Sequence, residues 1–137
     1  MNNNQLSVIG HSEKIDLPTL EQYKIPAKID TGADSSSIWA SKVVERSGKL
    51  TVVFFGKGSK FYTGEEVKFS KGYFKRVIIT NSFGQQEIRY KIMLSITVKE
   101  RNIKATFTLA NRENMAYPIL LGKRLLKGKF LVDVNKS

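Results

Sequence analysis

Short apolar runs dominate this sequence, and turn-forming residues separate nearly all of them. Each run is rich in β-branched and aromatic residues and is bounded by Gly, Asn, Ser or Pro, which is the pattern of β-strands. The runs assigned to strands are 6–9, 23–29, 36–39, 50–55, 66–69, 74–80, 87–98, 103–109 and 130–134. The sequence therefore predicts an all-β fold.

The C-terminal region contains the one segment with a helical pattern. Over residues 120–127, Leu121, Leu125 and Leu126 fall on one face, and Gly128 can end the helix. A chain of 137 residues can bury a core but is short for an enzyme with two lobes. Because the sequence has no internal repeat or linker, we expect residues 1–137 to form a single domain.

A long antiparallel hairpin is predicted from residues 87–98 and 103–109, which flank a turn at 99–102. Alternation along the first strand places apolar and polar side chains on opposite faces, as a half-buried sheet requires. The apolar face consists of Ile92, Leu94, Ile96 and Val98. Residues 45–60, rich in Gly, Lys and Ser, are the expected site of a looped excursion.

The absence of cysteine excludes several kinds of chemistry. A chain without cysteine has no disulfide framework, thiol nucleophile or thiolate zinc site. Without disulfides that would favour an oxidising compartment, a cytoplasmic location is the default expectation. Residues 1–6 lack the basic segment and apolar core of a signal peptide, and no apolar run approaches the ~20 residues of a membrane span. We expect a soluble, unprocessed chain with no membrane partner.

The net charge of +11 comes from 23 lysine and arginine residues against 12 aspartate and glutamate residues. Such a field attracts nucleic acids, anionic membrane surfaces or acidic peptides, and the charge alone does not choose among them. The basic residues are spread along the chain without one dense block, so a solvated surface is the alternative interpretation. Nucleic-acid binding has only the charge and scattered aromatic residues in its favour.

Residues 27–38 carry the most chemical information. Asp30, Thr31 and Gly32 follow one apolar strand and lead into another, so Asp30 is expected at a tight turn between them. By itself such a triplet is usually an ordinary turn, because Asp and Gly are common turn residues. Here the small residues Gly32 and Ala33 would also let another chain segment approach closely.

A second element lies near the C-terminus, at residues 117–126. It is an apolar strand that runs through Gly122 into the predicted helix. An Asp-Thr-Gly-Ala sequence, a hairpin, and then an apolar-Gly-basic element before a terminal helix follow one another along the chain. This order resembles the single-chain half of a retropepsin.

Nearly the whole chain, from Val8 to Asp133, is similar to a bacterial and archaeal retropepsin-like family often labelled an ATP-dependent zinc protease. The matching residues are Ile9, Gly10, Leu17, Pro18, 27–33, 87–89, Asn111, Arg112, Met115, Tyr117, Pro118, 120–122 and 130–133. The resemblance implies a closed β-barrel, a homodimer, and an association with ATP-grasp ligases that add glutamate to proteins or peptides.

The residues themselves give no support for zinc or ATP as a cofactor. His11 is the single histidine, and neither a cysteine nor a His-Glu-x-x-His motif accompanies it. A Gly-rich loop that ends in Gly-Lys-Ser or Gly-Lys-Thr is also absent. We therefore expect no metal and no cofactor, with His11 at the surface or at a strand edge.

Aspartic peptidase chemistry requires two carboxylates that share one proton. One Asp-Thr-Gly motif supplies only Asp30, so the second carboxylate would be Asp30 of a symmetry-related chain. By resemblance, Thr31 hydrogen-bonds across the dimer axis and Gly32 leaves room for the substrate backbone. The residues expected to support the active site are Thr31, Gly32, Ala33, Asp34, Gly122 and Lys123.

One position departs from the retropepsin pattern. In retropepsins, the aspartate that matches Asp34 pairs with an arginine that follows the glycine of the C-terminal motif. That position here is Lys123, which can neutralise Asp34 but cannot offer a bidentate fork. The brace is therefore either looser or made by Arg124 instead.

A flap must fold over the substrate to exclude water. Residues 80–86 are the candidate flap, because they are polar, contain glycine and lie between two strand signals. Ser82, Phe83 and Gly84 form its tip, and Phe83 is available to cover a peptide. An ordinary hairpin turn with a surface aromatic explains the same pattern.

Two functions fit these residues. The first is a homodimeric aspartic endopeptidase, with acidic or glutamate-modified peptides favoured as substrates by the positive charge and the ligase association. The second is a non-catalytic module of the same fold, which binds a peptide, a polyglutamate tail or a ligase partner.

Overall fold

The computed structural model describes residues 5–137, in which there are eleven strands and one α-helix. Residues 1–4, part of the segment without signal-peptide features, lie outside the described residues. A 3₁₀ turn (Pro18–Leu20) follows β2, and the helix α1 (Lys123–Leu126) follows β10. The strands are β1 (Ser7–Ile9), β2 (Ser12–Leu17), β3 (Gln22–Ile29), β4 (Ser36–Arg46), β5 (Lys49–Phe54), β6 (Glu66–Ser70), β7 (Phe74–Thr80), β8 (Gln86–Val98), β9 (Arg101–Ala110), β10 (Ile119–Leu121) and β11 (Phe130–Val132).

Six strands form a closed barrel. In the order β3, β2, β8, β9, β4 and β10, each strand pairs with the next, and β10 pairs back with β3. Apolar side chains from these strands and from α1 form one buried core, which includes Ile15, Ile38, Ile96, Phe107 and Leu125. The predicted all-β fold, a closed barrel with one short C-terminal helix, is confirmed.

The hairpin of β8 and β9 has the faces predicted from alternation. The apolar face is buried, with exposures of 4% or less, and consists of Ile92, Leu94, Ile96 and Val98. Lys99 and Glu100 form the turn, and both have a left-handed backbone, with φ of 47° and 65°. Two such residues are typical of the tight turns whose twist matches that of the paired strands.

The expectation of a looped excursion at residues 45–60 is wrong for half of that segment, which lies in β4 and β5, and the strand predicted at 50–55 is present as β5. β4 continues to Arg46, and the chain returns as β5 from Lys49 through a turn at Ser47 and Gly48. The second half of β4 pairs with β5 outside the barrel, where most of its side chains are exposed. Because this half carries no apolar alternation, the sequence pattern did not reveal it.

The helix is shorter than the predicted 120–127. Leu121 belongs to β10, and α1 covers only Lys123–Leu126, with Leu125 and Leu126 buried as predicted. A short apolar run has no periodicity that separates a buried strand from a buried helix, which explains the misplaced boundary. Within residues 5–137, no helix has the length and apolar character needed to span a membrane.

β1 and β11 form a small parallel sheet that has no strand pairing with the barrel, although Ile9 and Phe130 belong to the same buried core. Val8 and Leu131 are register partners in this sheet, and their side chains are 46% and 54% exposed. Each strand has its partner on one side only, so each presents an unpaired edge.

Candidate active site

Asp30 lies where the chain leaves β3 at Ile29 and turns towards β4. The backbone N–H of Asp30 donates to the carbonyl of Leu121 at 2.9 Å, and the N–H of Ala33 donates to the carbonyl of Asp30 at 3.3 Å. The Oδ1 atom of Asp30 accepts the backbone N–H of Gly32 at 3.0 Å. These hydrogen bonds fix the direction of the half-buried Asp30 carboxylate.

The loop is held in place by β10, which lies between the two strands that the loop connects. β10 runs parallel to β3, with Leu121 opposite Ile29, and antiparallel to β4, with Leu120 opposite Ser37. The loop from Asp30 to Ser35 connects β3 to β4, and both of these strands are hydrogen-bonded to β10 between them. Residues 117–126, the second element singled out in the sequence, support Asp30 through this pairing.

Gly122 is buried directly beneath the loop. Its backbone N–H donates to the Oγ atom of Ser36 at 3.0 Å. A Cβ atom at this position would lie 2.5 Å from the carbonyl oxygen of Ser35 and 2.8 Å from that of Ala33. Only glycine leaves enough space between these backbone atoms, so Gly122 lets β10 approach the loop closely.

Asp34 and Lys123 form the ion pair expected from the sequence. Lys123 Nζ lies 3.2 Å from Asp34 Oδ1. Two backbone hydrogen bonds run beside this pair, from the Lys123 N–H to the Ala33 carbonyl at 2.6 Å and from the Arg124 N–H to the Asp34 carbonyl at 3.2 Å. Arg124 thus supports Asp34 through its backbone, whereas the side-chain contact is made by Lys123.

Gly32 differs from Gly122 in its surroundings. The atom nearest to a Cβ built on Gly32 would be Asp30 Oδ1 at 3.4 Å, an ordinary contact, and its backbone is outside the left-handed region. Packing within the described residues therefore does not require glycine here. Thr31 and Gly32 are both exposed. If glycine is required at position 32, the requirement comes from a group outside this chain, such as a second chain or a substrate.

A groove of about 810 Å³ begins beside the Asp30 loop, and we call it the central groove. It opens where β8 and β9 separate beyond their pair Lys91 and Thr108. Its walls come from the start of β4, the β7–β8 hairpin and the chain that follows β9. Its lining comprises Ser35, Ser36, Ser37, Val43, Val77, Ile79, 87–91, 108–112 and Met115. The strand that leaves the Asp30 loop thus forms one wall.

The candidate flap is the turn of the β7–β8 hairpin. Asn81 holds this turn, since its Oδ1 atom accepts the N–H groups of Phe83 at 2.9 Å and Gln85 at 3.0 Å. Gly84 has a left-handed backbone with φ of 81°, and Phe83 is 87% exposed. The stem of the hairpin lines the central groove, whereas Ser82, Phe83 and Gly84 extend beyond its lining.

A basic pocket of about 270 Å³ adjoins the central groove and shares Ser35, Ser36, Lys91 and Thr108 with it. The charged residues in its lining are all basic, namely Lys91, Lys104, Arg124 and Lys129. The sequence showed these residues only as part of a dispersed charge. Their convergence depends on the β8–β9 pairing and on the position of α1, which sequence spacing does not reveal.

Two further groove residues were also missed by sequence reasoning as functional candidates. Arg89 and Arg112 both matched the family pattern, but neither was given a role. Arg112 is only 9% exposed, and its burial lowers the pKa of the guanidinium. The burial of this charged side chain marks Arg112 as a functional candidate, and burial can be seen only in the structure.

Metal-binding side chains do not cluster in the described part of the chain. Among residues 5–137, no group of three or more His, Asp or Glu side chains is placed to hold a metal ion. His11 is exposed, and its backbone carbonyl accepts the N–H of Ile29 at 2.9 Å. It therefore lies beside a barrel strand, at the surface.

A closed barrel in which a central strand holds an Asp-Thr-Gly loop is a retropepsin-like domain. A family model described as RimB-like, retropepsin-like aspartic endopeptidase RimB, matches residues 8–137. The chain belongs to this family.

Comparison with curated proteins gives relatives that are much longer than this chain. The chain is 28% identical over 128 residues to a probable alpha-L-glutamate ligase of Desulfotalea psychrophila, which covers 92% of the chain and 28% of that protein. It is 31% identical over 132 residues to a probable alpha-L-glutamate ligase of Shewanella pealeana, covering 95% of the chain and 29% of that protein. The chain thus spans less than a third of the relatives that it matches.

Among solved structures, the chain is similar to a protein with unknown function (DUF785) from Legionella pneumophila. The TM-score is 0.71 at 24% identity, and the match covers 97% of each chain. This similarity supports the fold.

Proposed function

We propose that this protein is an aspartic endopeptidase that works as a homodimer, with Asp30 of each chain contributing one carboxylate. The observation that carries the proposal is the Asp30 loop, whose carboxylate is oriented by the Gly32 N–H at 3.0 Å and whose backbone is bonded to β10. Membership of a family described as retropepsin-like aspartic endopeptidase supports the same reaction.

In the proposed reaction, the two Asp30 carboxylates share one proton across the dimer axis. The ionised carboxylate takes a proton from a water molecule, which attacks the peptide carbonyl, while the protonated carboxylate donates a hydrogen bond to the carbonyl oxygen. The active site therefore depends on dimerisation.

Two surfaces support the proposed dimer. Thr31 and Gly32 are exposed at the tip of the Asp30 loop, where they can meet the same residues of a second chain. The small sheet of β1 and β11 has unpaired edges and carries the exposed side chains of Val8 and Leu131. A second copy of this sheet would pair with these edges and cover the apolar side chains.

Acidic or glutamate-modified peptides are the proposed substrates. The basic pocket adjoins the central groove and has four basic residues and no acidic residue in its lining. The net charge of +11 attracts anionic chains over longer distances. The curated relatives are named as glutamate ligases, which supports an association of this protein with ATP-grasp enzymes or their products.

A non-catalytic binding module is the second candidate. It is favoured by the central groove, which a single chain already forms without a partner. In that case the groove would hold a peptide or a ligase segment, and Asp30 would serve only as a turn residue.

Asp30→Asn separates the two candidates, because it removes the ionisable group and keeps the shape of the side chain. The wild-type protein and the variant are compared by analytical ultracentrifugation and by cleavage of a peptide library between about pH 3 and pH 8, the range in which carboxylates change charge. We expect both proteins to fold and dimerise and only the wild type to cleave. A dimeric wild type that cleaves no peptide would reject the peptidase and favour the binding module.

A further inference from the structure

Arg112 is a buried cation without an acidic partner in the described chain. Its Nε donates to the carbonyl of Tyr117 at 2.9 Å, and its Nη1 donates to the Oγ atom of Ser37 at 3.1 Å. Both acceptors are neutral. None of the ion pairs formed by residues 5–137 includes Arg112.

Burying a charge without a counterion is costly, so buried arginines are normally paired with a carboxylate or another anion. Arg112 has 9% exposure and nevertheless lines the central groove. An anion bound in this groove can therefore reach the Arg112 side chain. The two neutral hydrogen bonds fix its orientation and leave part of the donor fork unused.

Arg89 brings a second guanidinium to the same groove from β8. The β8–β9 pairing ends at Lys91 and Thr108. Beyond this point Arg89 lies on β8, and Arg112 lies in the chain that follows β9. The Nε of Arg89 is buried and has no hydrogen-bond partner among the described residues. Its Nη2 contacts the exposed Glu87 Oε2 at 3.2 Å, so one donor of this guanidinium is engaged and Nε is not.

We propose that Arg112, assisted by Arg89, binds a carboxylate of the peptide in the central groove and makes this groove selective for acidic side chains. The proposal rests on the proposed function only in that the groove holds a peptide. A guanidinium fork can bind a carboxylate through two parallel hydrogen bonds, which a lysine cannot. A glutamine side chain would leave the buried charge of Arg112 without a counterion, so the groove would discriminate against it.

Binding is measured in the Asp30→Asn background, so that cleavage does not interfere. The probes are two fluorescent hexapeptide amides, one alternating glutamate with alanine and the other alternating glutamine with alanine. A third probe is the glutamine peptide with a free C-terminal carboxylate. We expect the glutamate peptide to bind at least about tenfold more tightly than its glutamine counterpart, since hydrogen bonds between two charged groups are stronger than those to a neutral amide.

The same measurement is made on Arg112→Gln, Arg112→Lys and Arg89→Gln. Arg112→Gln should remove most of the preference for glutamate without changing the affinity for glutamine, and Arg112→Lys should restore only part of it. Arg46→Gln, which removes an exposed arginine at the far end of β4, is the control of equal net charge. If Arg112→Gln does not fold, as judged by circular dichroism, Arg89→Gln and Arg112→Lys provide the test.

Equal binding of the glutamate and glutamine peptides, or no binding of either, would overturn the proposal. It would also be overturned if Arg46→Gln reduced the preference as much as the groove variants, because the effect would then be one of net charge. A gain from the free C-terminal carboxylate alone would show that the groove recognises a chain end and not a side chain. Wild-type cleavage of both peptides at equal rates would reject the carboxylate subsite and support the peptidase. Arg112-dependent binding of the glutamate peptide without cleavage by the wild type would support the subsite and reject the peptidase.

Discussion

Lys123 Nζ lies 3.2 Å from Asp34 Oδ1, joining the residue after Gly122 to the residue after the Asp-Thr-Gly-Ala sequence. Both side chains are well exposed, at 59% for Lys123 and 65% for Asp34. An ion pair in water contributes little to stability, because solvent screens it and two side chains must be ordered. The backbone hydrogen bonds beside it are therefore the main link between the loop and α1.

Replacing the lysine should accordingly have a small effect. We expect Lys123→Ala to lower the free energy of unfolding by about 0.2–1 kcal/mol, the range of exposed ion pairs, because both backbone hydrogen bonds survive the substitution. Urea denaturation of Lys123→Ala, Asp34→Ala and the double variant gives the coupling energy between the side chains. A coupling well above about 1 kcal/mol would mean that this pair, and not the backbone, holds the loop.

Gly122→Ala should be much more damaging. Its Cβ atom would lie 2.5 Å from the carbonyl oxygen of Ser35, and backbone atoms in a bonded loop cannot move aside as the end of a side chain can. We expect a loss of about 1–3 kcal/mol or more, typical of overpacking, together with loss of any cleavage. The comparison is by urea denaturation, and unchanged stability would show that β10 can shift without cost.

Gly32→Ala is the same substitution on the exposed side of the loop, and we expect the opposite pattern. Its Cβ would contact only Asp30 Oδ1, at 3.4 Å, so the free energy of unfolding of the monomer should change by less than about 1 kcal/mol. If Gly32 faces a second chain and its substrate, dimerisation or cleavage should fall instead. Sedimentation and activity measurements test this, and a dimeric, fully active variant would place Gly32 outside the interface.

The hydroxyl of Tyr90 donates to Glu45 Oε1 at 2.8 Å, with Arg76 Nη1 at 3.7 Å from the same carboxylate. Burial and then the hydrogen bond to Glu45 raise the pKa of Tyr90 above its ordinary value of 10.0. The stability contributed by the neutral phenol is therefore complete below the unfolded-state pKa and is lost as the pH rises through the folded-state pKa.

Tyr90→Phe removes this contribution and keeps the ring. We expect the variant to lose about 0.5–1.5 kcal/mol near neutral pH, and the difference from wild type to shrink above about pH 10. Urea denaturation of both proteins between about pH 8 and pH 11 isolates Tyr90, because lysines titrate equally in both. A difference that stays constant over this range would contradict the raised pKa.

The sequence predicted those features for which the local residue pattern alone determines the place of a side chain in the fold. The core face of β8 was predicted because alternation alone specifies it, and Asp30 was placed at a turn because apolar strands flank the Asp-Thr-Gly sequence. β2 was missed, since only Ile15 and Leu17 are buried in a segment of otherwise polar character. Two apolar residues are too few to separate a strand from a loop.

The site was predicted less completely than the fold for a physical reason. Asp30, Gly122 and Lys123 belong to local motifs, so their types and order were sufficient to select them. Arg89 and Arg112 become notable only through burial and through the separation of β8 from β9, which are properties of the packed chain. When residues distant in the sequence bury a charged side chain, no local sequence pattern reveals it. A count of charges therefore treats such an arginine as any other surface cation.

The basic pocket provides a test of local charge against net charge. Lys104 and Lys129 line this pocket, whereas Lys49 and Lys68 line a different one beside β5 and β6. We expect Lys104→Gln and Lys129→Gln each to weaken binding of an acidic peptide about threefold, because one charge that remains in contact with water contributes less than about 1 kcal/mol. Lys49→Gln and Lys68→Gln change the net charge equally and should have a smaller effect.

Titration of a glutamate-rich peptide at about 50 mM and about 500 mM NaCl separates the two contributions. At the higher salt concentration the Debye length falls to a few ångströms, so the effects of the exposed lysines should largely disappear. The preference that depends on Arg112 should persist, since this side chain is only 9% exposed and a carboxylate in contact with it is screened much less than an exposed pair. Equal effects of all four lysine variants at low salt would show that the long-range field, and not the basic pocket, attracts the acidic chain.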